Sequence, residues 1–474
     1  MTKHHQIEWD LSQGYRVQES KGWLVLGPKL NSEAAVTITA SPAGQYPTTL
    51  AVCNGFTYAA FNRDVLRRNA ADTEWSSDRA PADIIRQIVS WNKDSTGDVG
   101  LLLAIAGQNY HYFDGTTWSQ TSGAAAHSAR AYAFLPQQSQ VRALLTHPAG
   151  GTEDAGMYTN PNPLVAANSW TLAYRTPELP HENIYRPAFI GVRWHEVDES
   201  QKVWVGLDTV FQDGQHHSPI PLGVQGLTRG TVNTLSFENK LLTPVGGDIL
   251  SIRPDRQEWI GPKEITGEVY GMTAYGPYLF INKGAKLVRG QIPETRGQRP
   301  LTWTVIEDGV QTPWTYLFGP VVDPKTAKLW LFGWTVGGGL VPYYIALDTQ
   351  HREVLDISGY SFAASGVAYS GWLEAESPEG DVAFSVAARC FSHNSNGAGS
   401  AKLSATETVD LSYQLDHQDE PWTSLPQLNN QRTSANIKHP HGQRYHRIRF
   451  KATLSRDPNT TTLTPVVKLW VMKG

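Results

Sequence analysis

Reactive side chains at workable spacings are few in this chain, and each has a structural use that competes with a chemical one. Cleaving a glycosidic bond takes two carboxylates roughly 5 to 10 Å apart, flanking the sugar bond. Trp194-His-Glu-Val-Asp198 and Asp381 supply acids for such a pair, but no spacing selects them, and solvated loop charges are the expectation. His439-Pro-His441 with His446, and the pair His216-His217, would suit a metal, yet no acidic or cysteine partner stands at ligand spacing. Gly337-Gly-Gly339 follows a strand-like run without the Lys and Ser/Thr of a phosphate loop, so it reads as a turn. Cys53 and Cys390 lie far apart with no metal-ligand spacing around either, and read as buried thiols. No Gly-x-Ser-x-Gly elbow or catalytic cysteine signature occurs. The expectation is therefore no catalytic residue, no cofactor and no metal, with a glycosidase as the runner-up.

One further acid sits in Asp114-Gly-Thr-Thr-Trp118, which resembles a shortened form of the Asp box of sialidase-type propellers, Ser-x-Asp-x-Gly-x-Thr-Trp. It lacks the leading Ser and one residue between Asp and Gly. Even an intact box holds a turn: the carboxylate accepts from loop amides while the Trp packs between strands. A sialidase would also need an arginine cluster and a Tyr-Glu nucleophile pair, and nothing in the spacing of these residues marks out such a set.

The element that carries Asp114 recurs. In Gly107-Gln-Asn-Tyr-His-Tyr-Phe-Asp-Gly-Thr-Thr-Trp118, a short aromatic strand meets an Asp-Gly turn and a Trp that begins the next strand. Trp75, Trp170, Trp259 and Trp303 close comparable units, at intervals of roughly forty-five residues, or about twice that between Trp170 and Trp259. One unit lacking its Trp is expected in the long gap. A period of this length, filled with short alternating runs of Val, Ile, Tyr, Phe and Trp punctuated by Gly, Pro and Asp, predicts the four-stranded blades of a β-propeller. Helical repeats would show a long 3.6-period apolar stripe, and none is present.

The chain of 474 residues has 18% charged and 10% aromatic residues, with 16 Trp against 4 Met, a strand-and-turn composition with material for a large core. Its formal charge of −4 argues against a nucleic-acid partner. The start, Met1 to Trp9, has no apolar h-region, and no run approaches the roughly 18 apolar residues that span a bilayer; synthesis in a cytoplasm without a signal peptide is expected. The reading divides the chain into an N-terminal arm, 1–42, that closes or leads into the ring; a propeller, 43–360, of seven blades, or six if the irregular unit at 184–222 is something else; and a β-sandwich, 365–474. The last assignment rests on strict alternation. Val409, Leu411, Tyr413 and Leu415 form one apolar face, as do Ile448, Phe450, Ala452 and Leu454, with Arg447, Arg449 and Lys451 expected to face water.

The tail, with Tyr413-Gln-Leu-Asp416, Glu420-Pro-Trp-Thr-Ser-Leu425, Tyr445-His-Arg-Ile-Arg-Phe-Lys-Ala-Thr-Leu454 and Thr461-Thr-Leu-Thr-Pro-Val-Val-Lys-Leu-Trp470, resembles the C-terminal region of propeller-bearing virion structural proteins of tailed bacteriophages. The resemblance covers the last quarter of the chain and reaches the propeller only as architecture. It implies a virion location, in the tail or an appended fibre, with other virion and tail proteins as partners, a homo-oligomer, and contact with a host-surface glycan or receptor. It brings no catalytic motif.

Overall fold

The computed structural model describes residues 4–6, 9–20, 23–39, 42, 48–92, 99–105, 109–121, 130–136, 140–146, 156–164, 170–175, 188–190, 193–197, 202–207, 220–221, 235–237, 240–252, 257–291, 301–308, 314–335, 337, 339–352, 354–374, 384–395, 399–400, 402–416, 421–438 and 447–473. Contacts divide the chain into two compact units: Ser32–Leu287 with Gly309–Tyr344, and Met1–Asn31 with Val288–Asp308 and Ile345–Gly474.

The first unit is the β-propeller. Its opening sheet is Thr49–Cys53, Phe56–Phe61, Asp64–Arg68 and Trp75–Arg79, each strand pairing antiparallel with the next. The same consecutive order repeats from Ile85 to Gln120, Arg130 to Arg175, Ala188 to Pro221 and Leu235 to Trp259. A sixth run of four spans Val269 to Glu307, and the unit boundary falls within its third strand, after Leu287. The seventh has three strands of its own, Tyr316–Asp323, Lys328–Thr335 and Gly339–Ala346.

Its fourth strand comes from the other end of the chain. Val36 bridges Leu340 antiparallel, its amide donating to the Leu340 carbonyl at 2.7 Å, and the Glu33 amide donates to Pro342 at 2.9 Å. Borrowing this strand removes the edges that an open array would leave exposed.

Each recurring Trp lies at or beside the fourth strand of its sheet; of the first six sheets it is the fourth, whose last strand is Ile220–Pro221, that lacks one. Trp75, Trp170 and Trp303 are buried, whereas Trp259 is 44% exposed. Apolar clusters fill the space between successive sheets: Phe61, Trp75, Phe318, Trp330 and Phe332 between last and first, Tyr58, Ile88, Leu101 and Phe113 between first and second. The apolar run Leu101–Ile105 is fully buried because its strand is flanked by partners within the sheet and by side chains on both faces.

The second unit is a two-sheet sandwich. One sheet runs Val17–Ser20, Trp23–Leu26, Leu463–Lys473, Phe384–Asn394 and Gly399–Ser400. The other includes Trp9–Tyr15, Ser365–Ser370, Arg447–Ser455, Thr408–Leu415 and Thr423–Ser424. Between them lie Leu24, Leu26, Cys390 and Leu469 against Val409, Leu411, Phe450 and Leu454. Strand Arg447–Ser455 alternates half-buried and buried at every step, as one-sided packing requires.

The expected boundaries, 1–42, 43–360 and 365–474, differ from this division. Residues 1–31 belong with the sandwich, because Leu24 pairs with Val467 and His4 to Gln6 pair with Trp470 to Met472, while 32–38 close the ring. Strand partners at opposite ends of a chain leave no local mark in its sequence. Arg16, at φ 53°, makes the turn between the two sheets. A Cβ on Gly366 would stand 2.5 Å from the Arg16 carbonyl oxygen, so that close approach needs glycine.

Candidate functional site

The residues singled out as chemically capable have fates of three kinds. Asp114 holds its turn: its carboxylate accepts from the amides of Thr116 at 2.8 Å and Thr117 at 2.7 Å, which keep its pKa below the usual carboxylate range. Trp118, which follows, donates its indole N–H to Asp78 at 2.7 Å and so ties the second sheet to the first. Cys53 and Cys390 are buried thiols, pushed up to about 11 and about 12 chiefly by burial. Gly337 and Gly339 take positive φ of 80° and 81°, the backbone of a turn.

For the others the structure is silent on side chains. Residues 194–197 lie in the strand Arg193–Val197, but Asp198, Asp381, His216, His217, His439, His441, His446 and Gly338 lie outside the described residues. Among the described residues no group of three or more His, Cys, Asp or Glu side chains could hold a metal. Among the described residues no helix is long and apolar enough to cross a membrane, which says nothing of β-barrels.

The sharpest concentration of unusual chemistry in the sandwich is one that sequence reasoning missed. Arg447, Arg449 and Lys451 do project together from the face opposite Ile448 and Phe450, as the alternation demands, but they do not simply face water. All three are half-buried and lie against aromatic rings. Arg447 stands 4.6 Å and Arg449 4.8 Å from the Trp372 ring; Arg449 also stands 5.0 Å from Trp422. Lys451 lies 5.9 Å from Trp422 and 6.0 Å from Tyr369, and the Trp422 and Tyr369 rings are 5.7 Å apart. The result is an alternating row of cation, ring, cation, ring and cation.

Register explains how the row is assembled. Lys451 is flanked by Tyr369 on one side and Ser412 on the other, and Arg449 is opposite Gln414. Side chains directly opposite on neighbouring strands share a face and touch. The segment after Ser370 brings Trp372 over the strand, and Phe450 N–H donates to the Ser370 hydroxyl at 2.8 Å. Trp422 arrives one residue before Thr423, which pairs with Tyr413. A signal was present in the basic alternation of Arg447, Arg449 and Lys451. What covers it depends on segments far away in sequence.

Among the described residues both guanidiniums are held by their Nε alone. Arg449 Nε donates to the Gln414 side-chain oxygen at 2.6 Å, and Arg447 Nε to the Asp416 carbonyl. Glu374, Asp410 and Asp416 are the acids on neighbouring strand positions. Asp410 accepts from Gln427 at 2.8 Å, and Asp416 from the Arg447 backbone amide at 3.2 Å. Among the described residues none of these acids forms an ion pair with the three cations. Burial and the neighbouring Arg447 pull the Arg449 pKa down while Tyr369 opposes them; a guanidinium stays charged regardless. The face therefore offers fixed positive charge whose outer N–H groups have no partner among the described residues.

No protein-family model matches the chain, and no curated protein does either. Among solved structures, YCF48 bound to a D1 peptide is similar with TM-score 0.44 at 12% identity, over 67% of this chain and 100% of that one. YCF48 from Cyanidioschyzon merolae is similar with TM-score 0.44 at 9% identity, over 67% and 98%. BamB from Moraxella catarrhalis gives TM-score 0.38 at 11% identity, over 74% and 98%. Likeness this distant says nothing of what the present chain binds; its own consecutive four-stranded sheets, closed by a borrowed strand, make the first unit a β-propeller.

Proposed function

We propose that the chain is a non-enzymatic structural component of a phage virion, tail or tail-fibre associated, working through protein–protein assembly and host contact. The observation that carries this reading is the commitment of ionisable side chains to shape. In the propeller, Asp114 fixes a turn, Lys283 donates to the carbonyls of Gly247 and Pro262, and Arg68 is gripped by Glu33. Groups so committed are poor acids, bases or nucleophiles, since a catalytic group must be free to exchange its proton or bond.

The strands that carry the tail-protein resemblance, Arg447–Ser455 and Leu463–Lys473, are interior members of their sheets. They are thus part of the sandwich frame and not an appendage to it. Partners on this reading are other tail proteins and further copies of the chain. Fractionation of particles by density, followed by mass spectrometry of intact and tail-less fractions, is the test. The chain should follow the tails and run as an oligomer when purified. Recovery solely from the soluble host fraction, as a monomer, would sink the proposal.

A further inference from the structure

We infer that the row Trp372, Arg447, Arg449, Trp422, Lys451 and Tyr369 is a binding site for a carboxylate-bearing polysaccharide. It deepens the host-contact part of the function proposed above and rests on that reading only for where such a polymer is met. Three observations lead to it.

The first is charge without a partner: none of the three cations has an ion pair among the described residues, whereas Arg68 in the propeller is paired with Glu33 at 2.8 Å. The second is geometry. Each guanidinium is fixed through Nε while its outer N–H groups have no partner among the described residues, and a planar fork of that kind matches a carboxylate with two parallel hydrogen bonds. Alternate residues of one strand place such donors roughly 7 Å apart along a line, which suits an extended chain bearing acids at intervals better than one compact anion.

The third concerns the kind of macromolecule. Protein interfaces are centred on an exposed apolar patch, but the one exposed large hydrophobic among the described residues is Trp259, in the other unit. Here the rings lie under cations, and the flanking Thr423 and Ser424 are exposed hydroxyls. Aromatic bodies with a polar, hydroxyl-bearing surround suit a hydrated sugar chain. A nucleic acid would require a broader basic surface than three cations on a chain of net charge −4.

The test is titration of the full chain with polygalacturonate and polysialic acid, against neutral dextran, polyglutamate and single-stranded DNA, at low and high salt. The expected result is binding of an acidic polysaccharide, weakened by salt, with dextran, polyglutamate and DNA at least tenfold weaker. Arg449→Gln should lower the affinity about tenfold or more, since a hydrogen bond to a charged group is lost. Arg449→Lys keeps the charge without the fork and should recover only part of it. Arg352→Gln, an exposed pair-former elsewhere in the same unit, should bind as the parent does. Unfolding of the variants is excluded by matching circular dichroism; if Arg449→Gln fails to fold, Trp422→Ala takes its place with the same expected loss.

Equal binding of polyglutamate or DNA, or affinity untouched by Arg449→Gln, would overturn the inference. So would no binding of either acidic polysaccharide; in that case the chain could still co-sediment with tails. New reducing ends on the bound polysaccharide would instead overturn the non-enzymatic reading and leave the site standing.

Discussion

Two arginines on tryptophans, one in each unit, show how the same contact serves opposite ends. Arg68 has no exposed surface; its guanidinium lies 5.1 Å from the Trp75 ring and 4.5 Å from the Trp330 ring, and pairs with both oxygens of Glu33 at 2.8 and 3.2 Å. Around it Lys325 meets Asp72 at 2.7 Å, and Lys328 reaches Glu33 at 3.9 Å and lies 4.2 Å from the Tyr344 ring. These residues come from the first sheet, the last sheet and the closing strand, so the cluster clamps the seam of the ring. Arg449 is stacked just as closely but is half-buried and meets no acid among the described residues. Buried charge has to be neutralised locally or it costs several kcal/mol. Charge left half-open keeps part of its hydration and can exchange it for a ligand.

The contrast is broken most severely at the seam. Arg68→Ala should destabilise the chain by about 3 to 5 kcal/mol, because it leaves Glu33 with only the more distant Lys328 as counter-charge; chemical denaturation measures it. Arg68→Lys should retain part of the loss, since an ammonium cannot grip both oxygens at once. If Arg68→Ala melts like the parent, the seam is held by apolar packing alone.

Acid is the next probe. His111 is 2% exposed, neither ring nitrogen has a hydrogen-bond partner among the described residues, and burial, helped by Arg79, pushes its pKa from 6.5 down to about 4. The fold thus holds the imidazole neutral, while the unfolded chain takes up a proton below about 6.5. The contribution of this group to stability is complete above about 6.5 and is lost progressively as pH falls toward about 4. Denaturation midpoints across that window should fall, and His111→Phe should flatten the slope. An unchanged slope would assign the acid sensitivity elsewhere.

On the open face the effect on stability is small because the cations there are only half-buried. Arg449→Ala should cost only about 0.5 to 1 kcal/mol, the value of a half-solvated cation on a ring, while the seam variant costs several times more. A loss as large as that of Arg68→Ala would make the sandwich face a second clamp. Smallest of all, Trp259→Ala should shift stability by less than about 0.5 kcal/mol, being a surface substitution, whereas buried Trp75→Ala should cost about 3 to 5 kcal/mol. Thermal melts of the pair decide whether the repeating indole is needed at every position.

Much of the fold was legible because its signals are local. The Trp period located the fourth strands, Asp114-Gly115 marked a hairpin, and the alternation of Ile448, Phe450, Ala452 and Leu454 gave the buried face of a sandwich strand. Pairings across long separations were not legible: Val36 on Leu340 and Leu24 on Val467 follow from closing a ring and a sandwich, and no neighbouring residue announces them. The candidate site falls between these cases. Alternation put Arg447, Arg449 and Lys451 on one face, but Trp372 and Trp422 reach it through turns whose course depends on tertiary packing. Solvation was the natural default for three basic side chains, and aromatic cover replaced it.

The bond between Val36 and Leu340 also bears on how the protein comes into being. A ribosome delivers the first partner early and the second late, so the nascent chain must hold a strand in waiting while six sheets emerge behind it. That waiting strand is a free edge, open to pairing with the wrong neighbour in a crowded polysome. Ring completion therefore waits until Leu340 has emerged, and a product shortened before that residue would carry its unmatched edge permanently.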